Sequence, residues 1–333
     1  MRRIHIGTSG IEASAMTIGT WEMGGGTAWG SWGARDEAEY VKVLHAAPDL
    51  GVDFIDTAPV YGTGHSEELI GKALAGRRSK YVISTKCGIH WRDTDGVREY
   101  ERDGKTAYRN LAAYSIRKDL EDSLRRLQTD YVDLYYTHRQ SDDTPVEETM
   151  GELLRMKQEG KIRAIGISKS KPAHLEAYLR VGRVDAVQEE FNVLDRAFGG
   201  GYLDLCSQHG VIAHCYGSLA KGLLTGRIGA DYVPAPGSAQ NSVWFRPALR
   251  SDILAMLDEF REIAGAYGCS LANLATAWVL SRSPLVTPVI GIRRMESLVD
   301  SIKSFDVKLT PDDVSRMDCL AQSLANKAAA TSV

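Results

Sequence analysis

The chain has 333 residues, 44% hydrophobic and 25% charged, the composition of a globular protein with a large core. Its 40 Lys and Arg against 43 Asp and Glu leave a net charge of -3, with a pI near 6.3. That balance gives no basic field for nucleic acid or an anionic membrane, and neither is expected as a partner. No window approaches the roughly 18 unbroken apolar residues of a membrane span. Residues 1–7 lack the apolar stretch of a signal peptide. The five cysteines (Cys87, Cys206, Cys215, Cys269, Cys319) show no CxxC spacing. Reduced thiols in the cytoplasm are therefore expected, rather than a disulfide frame or a zinc site. Cys87, beside Lys86, reads as a neutral thiol lining a site rather than a nucleophile.

In chain order, Ile4-His5-Ile6 and Ala15-Met16-Thr17-Ile18 flank Gly7-Thr8-Ser9-Gly10 and predict a hairpin followed by a first core strand. Helical spacing runs from Asp36 to Leu50, with Pro48 expected to kink or fray the last turn. A strand over Val52–Asp56 precedes a helix Ser66–Leu74, capped by Ser66, and a strand Tyr81–Lys86. A long polar loop follows, then helix Ser115–Leu127, strand Val132–His138 and helix Val146–Glu159. Strand Ile162–Ser168, a helix opened by Pro172, strand Ala186–Glu190, helix Tyr202–His209 and strand Val211–Tyr216 continue the alternation. Helices over 251–267 and 271–280, strand Val286–Ile290, a helix near 295–304 and a helix after Pro311 finish the chain.

Eight apolar strands alternating with helices predict a parallel sheet closed into a (β/α)8 barrel, with an N-terminal hairpin and extra C-terminal helices. An open doubly wound sheet is the rival, but its G-x-G-x-x-G fingerprint is missing: Gly62-Thr63-Gly64-His65-Ser66-Glu67 fails at the last position. No Pro/Gly/Ser linker divides the chain, so residues 1–333 read as one domain.

Three successive strands end in an ionisable residue: Asp56, Lys86 and His138, with Tyr61 five residues beyond the first. In a barrel these ends share the rim that carries the chemistry. Singly, each reads as well as half of a structural ion pair, a loop anchor or a satisfied rim histidine. Together they make a site. Asp56 keeps a partly buried Lys86 charged, and the ammonium is expected to lower the Tyr61 pKa from about 10 toward neutrality. Tyr61 would then protonate a carbonyl oxygen, with His138 donating a second hydrogen bond. His65 and His90 read as lining the opening. No carboxylate and histidine grouping has metal-ligand spacing.

Asp56-Thr57-Ala58-x-x-Tyr61-Gly62, Ser84-Thr85-Lys86-Cys87-Gly88 and His138 match, in order and context, a tetrad known elsewhere. With Gly160-Lys161-Ile162-Arg163-x-Ile165-Gly166-Ile167-Ser168 and Lys221-Gly222-Leu223-Leu224-Thr225-Gly226, the chain resembles the aldo-keto reductases from Ile6 to about Met317. Gly19-Thr20-Trp21, Lys86-Cys87-Gly88-Ile89-x-Trp91 and Asp231-Tyr232-Val233-Pro234 are similar to the bacterial branch of methylglyoxal and inositol-cluster reductases. The resemblance implies a nicotinamide dinucleotide across the barrel mouth. Ser168 and Gln188 would hold its carboxamide, Lys169 would line the cofactor beside them in place of the family's usual Asn and its carboxamide contact, and Tyr216 would stack under the nicotinamide. Gly19, Thr20 and Trp21, with Asp56, would lie near its reactive end. Ser218, Leu219, Gly222, Leu224 and Thr225 fall in the loop where backbone amides bind pyrophosphate, Ser218 replacing a common proline. Gly291, Arg293 and Arg294 open the last barrel helix as a phosphate site, and Ser297 and Ser301 replace the usual Gln and Asn near the adenine. Two arginines favour NADPH, with NADH possible.

Trp21, Trp91 and Trp244, from separate rim loops, are expected to wall the substrate beside His138. Such walls suit a small dicarbonyl, an aldehyde or a keto-sugar. The alternatives are a nucleotide-binding sensor resembling channel β subunits, which an intact tetrad opposes, and a Schiff-base aldolase with Lys86 as nucleophile, which the Asp56 charge opposes.

Overall fold

The structure, a computed structural model, describes residues 1–25, 36–102, 104–234 and 239–330. Eight parallel strands close into a barrel: β1 (Thr17–Gly19), β2 (Phe54–Asp56), β3 (Val82–Cys87), β4 (Val132–Thr137), β5 (Ile162–Ser168), β6 (Ala186–Glu190), β7 (Ile212–Tyr216) and β8 (Val286–Gly291). Each strand pairs with its sequence neighbours, and β8 returns to β1 with Gly291 opposite Gly19. Helices α1 (Glu37–Ala46), α2 (His65–Ala73), α3 (Ala113–Leu127), α4 (Val146–Gln158), α5 (Pro172–Val181) and α6 (Gly201–Gln208) alternate with the strands. Helices α7 (Arg250–Ala266) and α8 (Leu271–Ser281) both lie between β7 and β8, while α9 (Met295–Ile302) and α10 (Pro311–Ala330) end the chain.

Two apolar layers explain why the strands read as continuous hydrophobic runs. Outward residues such as Ile55, Ile83, Tyr135 and Ile165 join the helices in one cluster. Inward residues Phe54, Val82, Leu134, Tyr136 and Ile212 fill the barrel with Ile4, Ile6 and Ile11 from the N-terminal hairpin. That hairpin (Arg3–His5 with Glu12–Ser14) plugs the bottom. A Cβ on Gly166 would lie 2.3 Å from the Tyr136 ring, so β5 needs glycine there to admit the phenol.

Several local expectations change. Pro48 does not kink a long helix; α1 ends at Ala46 and Pro48 opens a separate 3-10 turn, Pro48–Leu50, as its missing N–H permits. Ser66 is not a cap. Helix α2 starts one residue earlier, after Gly64, and Ser66 is buried. The polar stretch after β3 is not a loop: Ile89–His90, Val97–Arg102 and Lys105–Arg109 form an antiparallel three-stranded sheet with the last in the middle. This sheet lies over the barrel rim, where Tyr61, Trp91 and Tyr100 pack against Ala58, Val60, Ile89 and Ala107. Among the described residues, no single helix is long and apolar enough to cross a membrane.

Candidate active site

The carboxyl ends of β2, β3 and β4 bring the four sequence-predicted groups together. Lys86 Nζ lies 2.8 Å from Asp56 Oδ2, 2.8 Å from the Thr57 carbonyl and 3.2 Å from the Tyr61 hydroxyl. The Tyr61 and His138 rings stand edge to face, 6.3 Å between centroids. Lys86 is 1% exposed and Asp56 2%. A pair so far from water holds only if its other polar atoms are satisfied. They are: Asp56 Oδ1 accepts from Ser84 Oγ at 2.7 Å and from Gln188 Nε2 at 3.0 Å.

The Tyr61 loop is fixed by backbone contact. Gly62 has φ of +63°, and a Cβ there would lie 2.0 Å from the Gly24 carbonyl oxygen. A Cβ on Gly24 would meet the Tyr61 carbonyl carbon at 2.4 Å. The turn after β1 (Glu22–Gly24) thus lies flush on the Tyr61 loop. Ser66 Oγ, 2.9 Å from Thr20 Oγ1 and 3.1 Å from Thr57 Oγ1, locks the same corner from beneath. The glycine pair and the Ser66 network were missed in the sequence, since both depend on contact between distant loops.

Burial and charge set the protonation states. Burial works against the Lys86 ammonium, but Asp56 and Tyr61 outweigh it and the pKa rises, so lysine stays charged. For Tyr61 the expectation fails in sign: burial of the phenol outweighs the lowering by Lys86, and Asp56 adds to burial, so the pKa lies above the ordinary value. Tyr61 is a phenol across neutral pH, not a phenolate. Burial, then the charges of Lys169, Lys86 and Arg139, hold His138 well below the usual imidazole range and therefore neutral. The Cys87 thiol is buried and pushed well above its ordinary value, which fits an inert lining residue.

On the opposite side of the mouth, Ser168 is buried and donates its hydroxyl to the Gln188 carbonyl at 2.9 Å. The Gln188 amide is committed to Asp56, as above, and lies 3.1 Å from His214 Nδ1. Its side-chain oxygen is the atom left for an outside donor. Tyr216 closes β7 partly exposed. The following loop departs from the expected nest in part: the Gly222 and Leu224 amides already donate to the Leu219 carbonyl, at 3.0 and 3.2 Å, and the Leu224 side chain belongs to the core. Ser218 Oγ is buried without a partner among the described residues, an orphan that a ligand in this groove would satisfy. Arg293 is partly exposed and Arg294 exposed ahead of α9, with Ser297 and Ser301 half-buried within it. Gly291 borders Glu22, another residue missed in the sequence: a Cβ there would lie 2.4 Å from Glu22 Oε2. That oxygen has no hydrogen-bond partner among the described residues, and burial pushes the carboxyl up to about 7 against the pull of Arg293.

The chain matches the model of the aldo/keto reductase family over residues 15–322. The chain belongs to that family. As an aldo/keto reductase it is an NAD(P)H-dependent oxidoreductase that reduces carbonyls to alcohols. It is 37% identical over 328 residues to the NADH-specific methylglyoxal reductase of Escherichia coli (strain K12), covering 97% of this chain and 99% of that one. The glycerol dehydrogenase of Gluconobacter oxydans has a structure similar to it, with a TM-score of 0.84 and 34% identity, over 96% of this chain and 94% of that one. An aldo/keto reductase from Klebsiella pneumoniae in complex with NADP and acetate aligns with a TM-score of 0.73 and 25% identity, over 96% of each.

On the reductase's substrate side the three tryptophans part company. Trp91 is half-buried in the small cluster that includes Tyr61, and Trp21 is half-buried just ahead of the Glu22–Gly24 turn. Trp244 is 5% exposed, and its Nε1 donates to Asp195 Oδ1 at 2.7 Å. It is loop packing, not a substrate wall; an indole N–H satisfied by a carboxylate inside a packed turn is what a buried tryptophan needs. His65 pairs with Glu37 at 2.9 Å, and buried His90 lies 3.0 Å from the Asp95 carbonyl. Both are structural.

Proposed function

We propose that this reductase converts an aldehyde or ketone to the alcohol with Tyr61 as proton donor, taking NADPH by preference and NADH as well. The observation that carries it is the 3.2 Å approach of the Lys86 ammonium to a phenol whose pKa lies above its ordinary value. A bound nicotinamide dinucleotide supplies the hydride. The Tyr61 oxygen accepts a hydrogen bond from Lys86 and directs its own proton outward, to the carbonyl oxygen as negative charge grows there. Lys86 stabilises the phenolate left behind, and Asp56 keeps Lys86 charged. Neutral His138 presents its one N–H to the same oxygen.

Ser168, the Gln188 side-chain oxygen, the Tyr216 ring and the orphaned Ser218 hydroxyl fit a nicotinamide and its linked phosphates. Trp21 and the backbone at Gly19 and Thr20 lie near its reactive end, with Leu219 and Thr225 along the groove. The Arg293 and Arg294 guanidiniums favour the extra phosphate of NADPH. The E. coli relative is named NADH-specific and the Klebsiella structure holds NADP, so both are carried. The substrate is a small dicarbonyl, aldehyde or keto-sugar set against Trp21, Trp91 and His138. The chain works as one barrel domain in the cytoplasm, in keeping with five free cysteines, with a small carbonyl compound as its partner. Tyr61→Phe is expected to abolish oxidation of NADPH by aldehydes while leaving NADPH binding, followed by fluorescence titration, intact. Undiminished turnover in that variant refutes the assignment.

A further inference from the structure

Lys169 occupies a position that its neighbours make costly. Strands β4 and β5 pair in parallel with Ile167 opposite Thr137, so the register carries Ser168 beside His138 and Lys169 beside Arg139 as the strands end. Gln140 Nε2 ties these ends, donating to the Ser168 carbonyl at 3.0 Å and to Thr137 Oγ1 at 2.9 Å. Lys169 itself is held at φ of +48°, a left-handed conformation that a lysine seldom adopts. Its amide donates to the Gln188 carbonyl at 3.2 Å.

The charges at this corner do not balance. Glu99, on the sheet that overlies the rim, lies 2.8 Å from Arg139 and 3.7 Å from Arg109, so one carboxylate serves two guanidiniums. Glu190 is taken by Lys221 at 2.8 Å. Glu189 accepts from the Ser170 amide and hydroxyl at 2.6 and 2.8 Å. The Lys169 ammonium reaches solvent and has no hydrogen-bond or ion-pair partner among the described residues. Crowding within the rim, then Arg139 and Lys86, hold its pKa down to about 8. Lys169, without a counter-charge of its own among the described residues, and Arg139, which shares its one carboxylate with Arg109, therefore both stand close enough to His138 to act on its charge. A neutral carboxamide at Lys169 would leave the ammonium unanswered.

We infer that the carbonyl substrate carries an anionic group, a carboxylate or a phosphate ester, which Lys169 and Arg139 bind beyond His138. The inference rests on the carbonyl reduction proposed above and deepens it: the substrate is an acidic aldehyde or ketone. The ammonium and guanidinium each offer a charge-assisted hydrogen bond to that anion. The reacting carbonyl is thereby turned toward Tyr61.

The test compares matched carbonyls with the NADPH-loaded enzyme. Succinic semialdehyde is set against butanal for the carboxylate, and glyceraldehyde 3-phosphate against glyceraldehyde for the phosphate ester. At least one anionic member is expected to exceed its neutral partner in kcat/KM by roughly tenfold or more, the scale of one charge-assisted hydrogen bond. The larger of the two ratios identifies the anion. The ratio should shrink as salt is raised, collapse in Lys169→Asn, whose side chain tolerates positive φ, and return in Lys169→Arg. A ratio near one for both pairs in the wild type overturns the inference while leaving carbonyl reduction standing. So does a high ratio that persists in Lys169→Asn. Absence of NADPH oxidation with all four compounds overturns both readings together.

Discussion

Replacing Lys86 by methionine leaves Asp56, 2% exposed, as a carboxylate without its cation. Removing one partner of a buried ion pair costs about 3–5 kcal/mol. Asp56 keeps its hydrogen bonds from Ser84 and Gln188, at 2.7 and 3.0 Å, which puts the loss at the lower end, about 3 kcal/mol. Unfolding entropy of about 2.1 cal/mol/K per residue over 333 residues amounts to about 700 cal/mol/K. The melting temperature should therefore fall by about 4 °C. Adding Asp56→Asn removes the stranded charge and leaves Ser84 an oxygen to donate to, so the double variant should return to within about 1 kcal/mol of the wild type. Neither variant should reduce aldehydes, because stability and catalysis draw on the pair differently. The assay is urea and thermal unfolding of the four corners of the cycle. A Lys86→Met protein as stable as the wild type, or a double variant no better than Lys86→Met, would refute the reasoning that the charges are buried and coupled.

Two further substitutions separate positioning from packing. Gly62→Ala must push the Tyr61 loop off the Gly24 carbonyl, 2.0 Å from the new Cβ. A kcat/KM fall of roughly tenfold or more is expected in steady-state kinetics, with NADPH binding retained, because the phenol is displaced from its productive geometry. Trp244→Phe loses the bond to Asp195 and should cost about 1–3 kcal/mol of stability by urea unfolding, yet leave KM for the carbonyl unchanged.

The barrel and the tetrad were legible in the sequence for one physical reason. Strands buried on both faces read as apolar runs, and a charge closing such a run is conspicuous: Asp56, Lys86 and His138 all stood out in this way. The sheet between β3 and α3 was not legible, because Val97–Arg102 and Lys105–Arg109 are mostly polar and owe their pairing to packing over Val60 and Tyr61. Ser66 read as a cap because serine before a helical run usually is one; here it turns inward to Thr20 and Thr57. The Tyr61 pKa went the wrong way because charges can be counted along a chain, whereas burial of a ring cannot. Trp244 and Trp91 look alike in sequence, and only the Asp195 carboxylate beneath one of them tells them apart. Lys169 was visible as a departure from the family pattern, but its unpaired state beside Arg139 required the register of β4 and β5.

The pH dependence of kcat/KM for a neutral aldehyde such as butanal, whose binding does not draw on Lys169, tests the proton donor most directly when measured with saturating NADPH. With the Tyr61 pKa raised by burial and His138 held neutral, the protonated phenol is the competent form. It persists until the pH passes the ordinary phenol value of about 10. The rate should be flat across neutral pH and fall only in strongly alkaline solution. A descending limb near pH 7 would contradict a phenol held protonated beside Lys86.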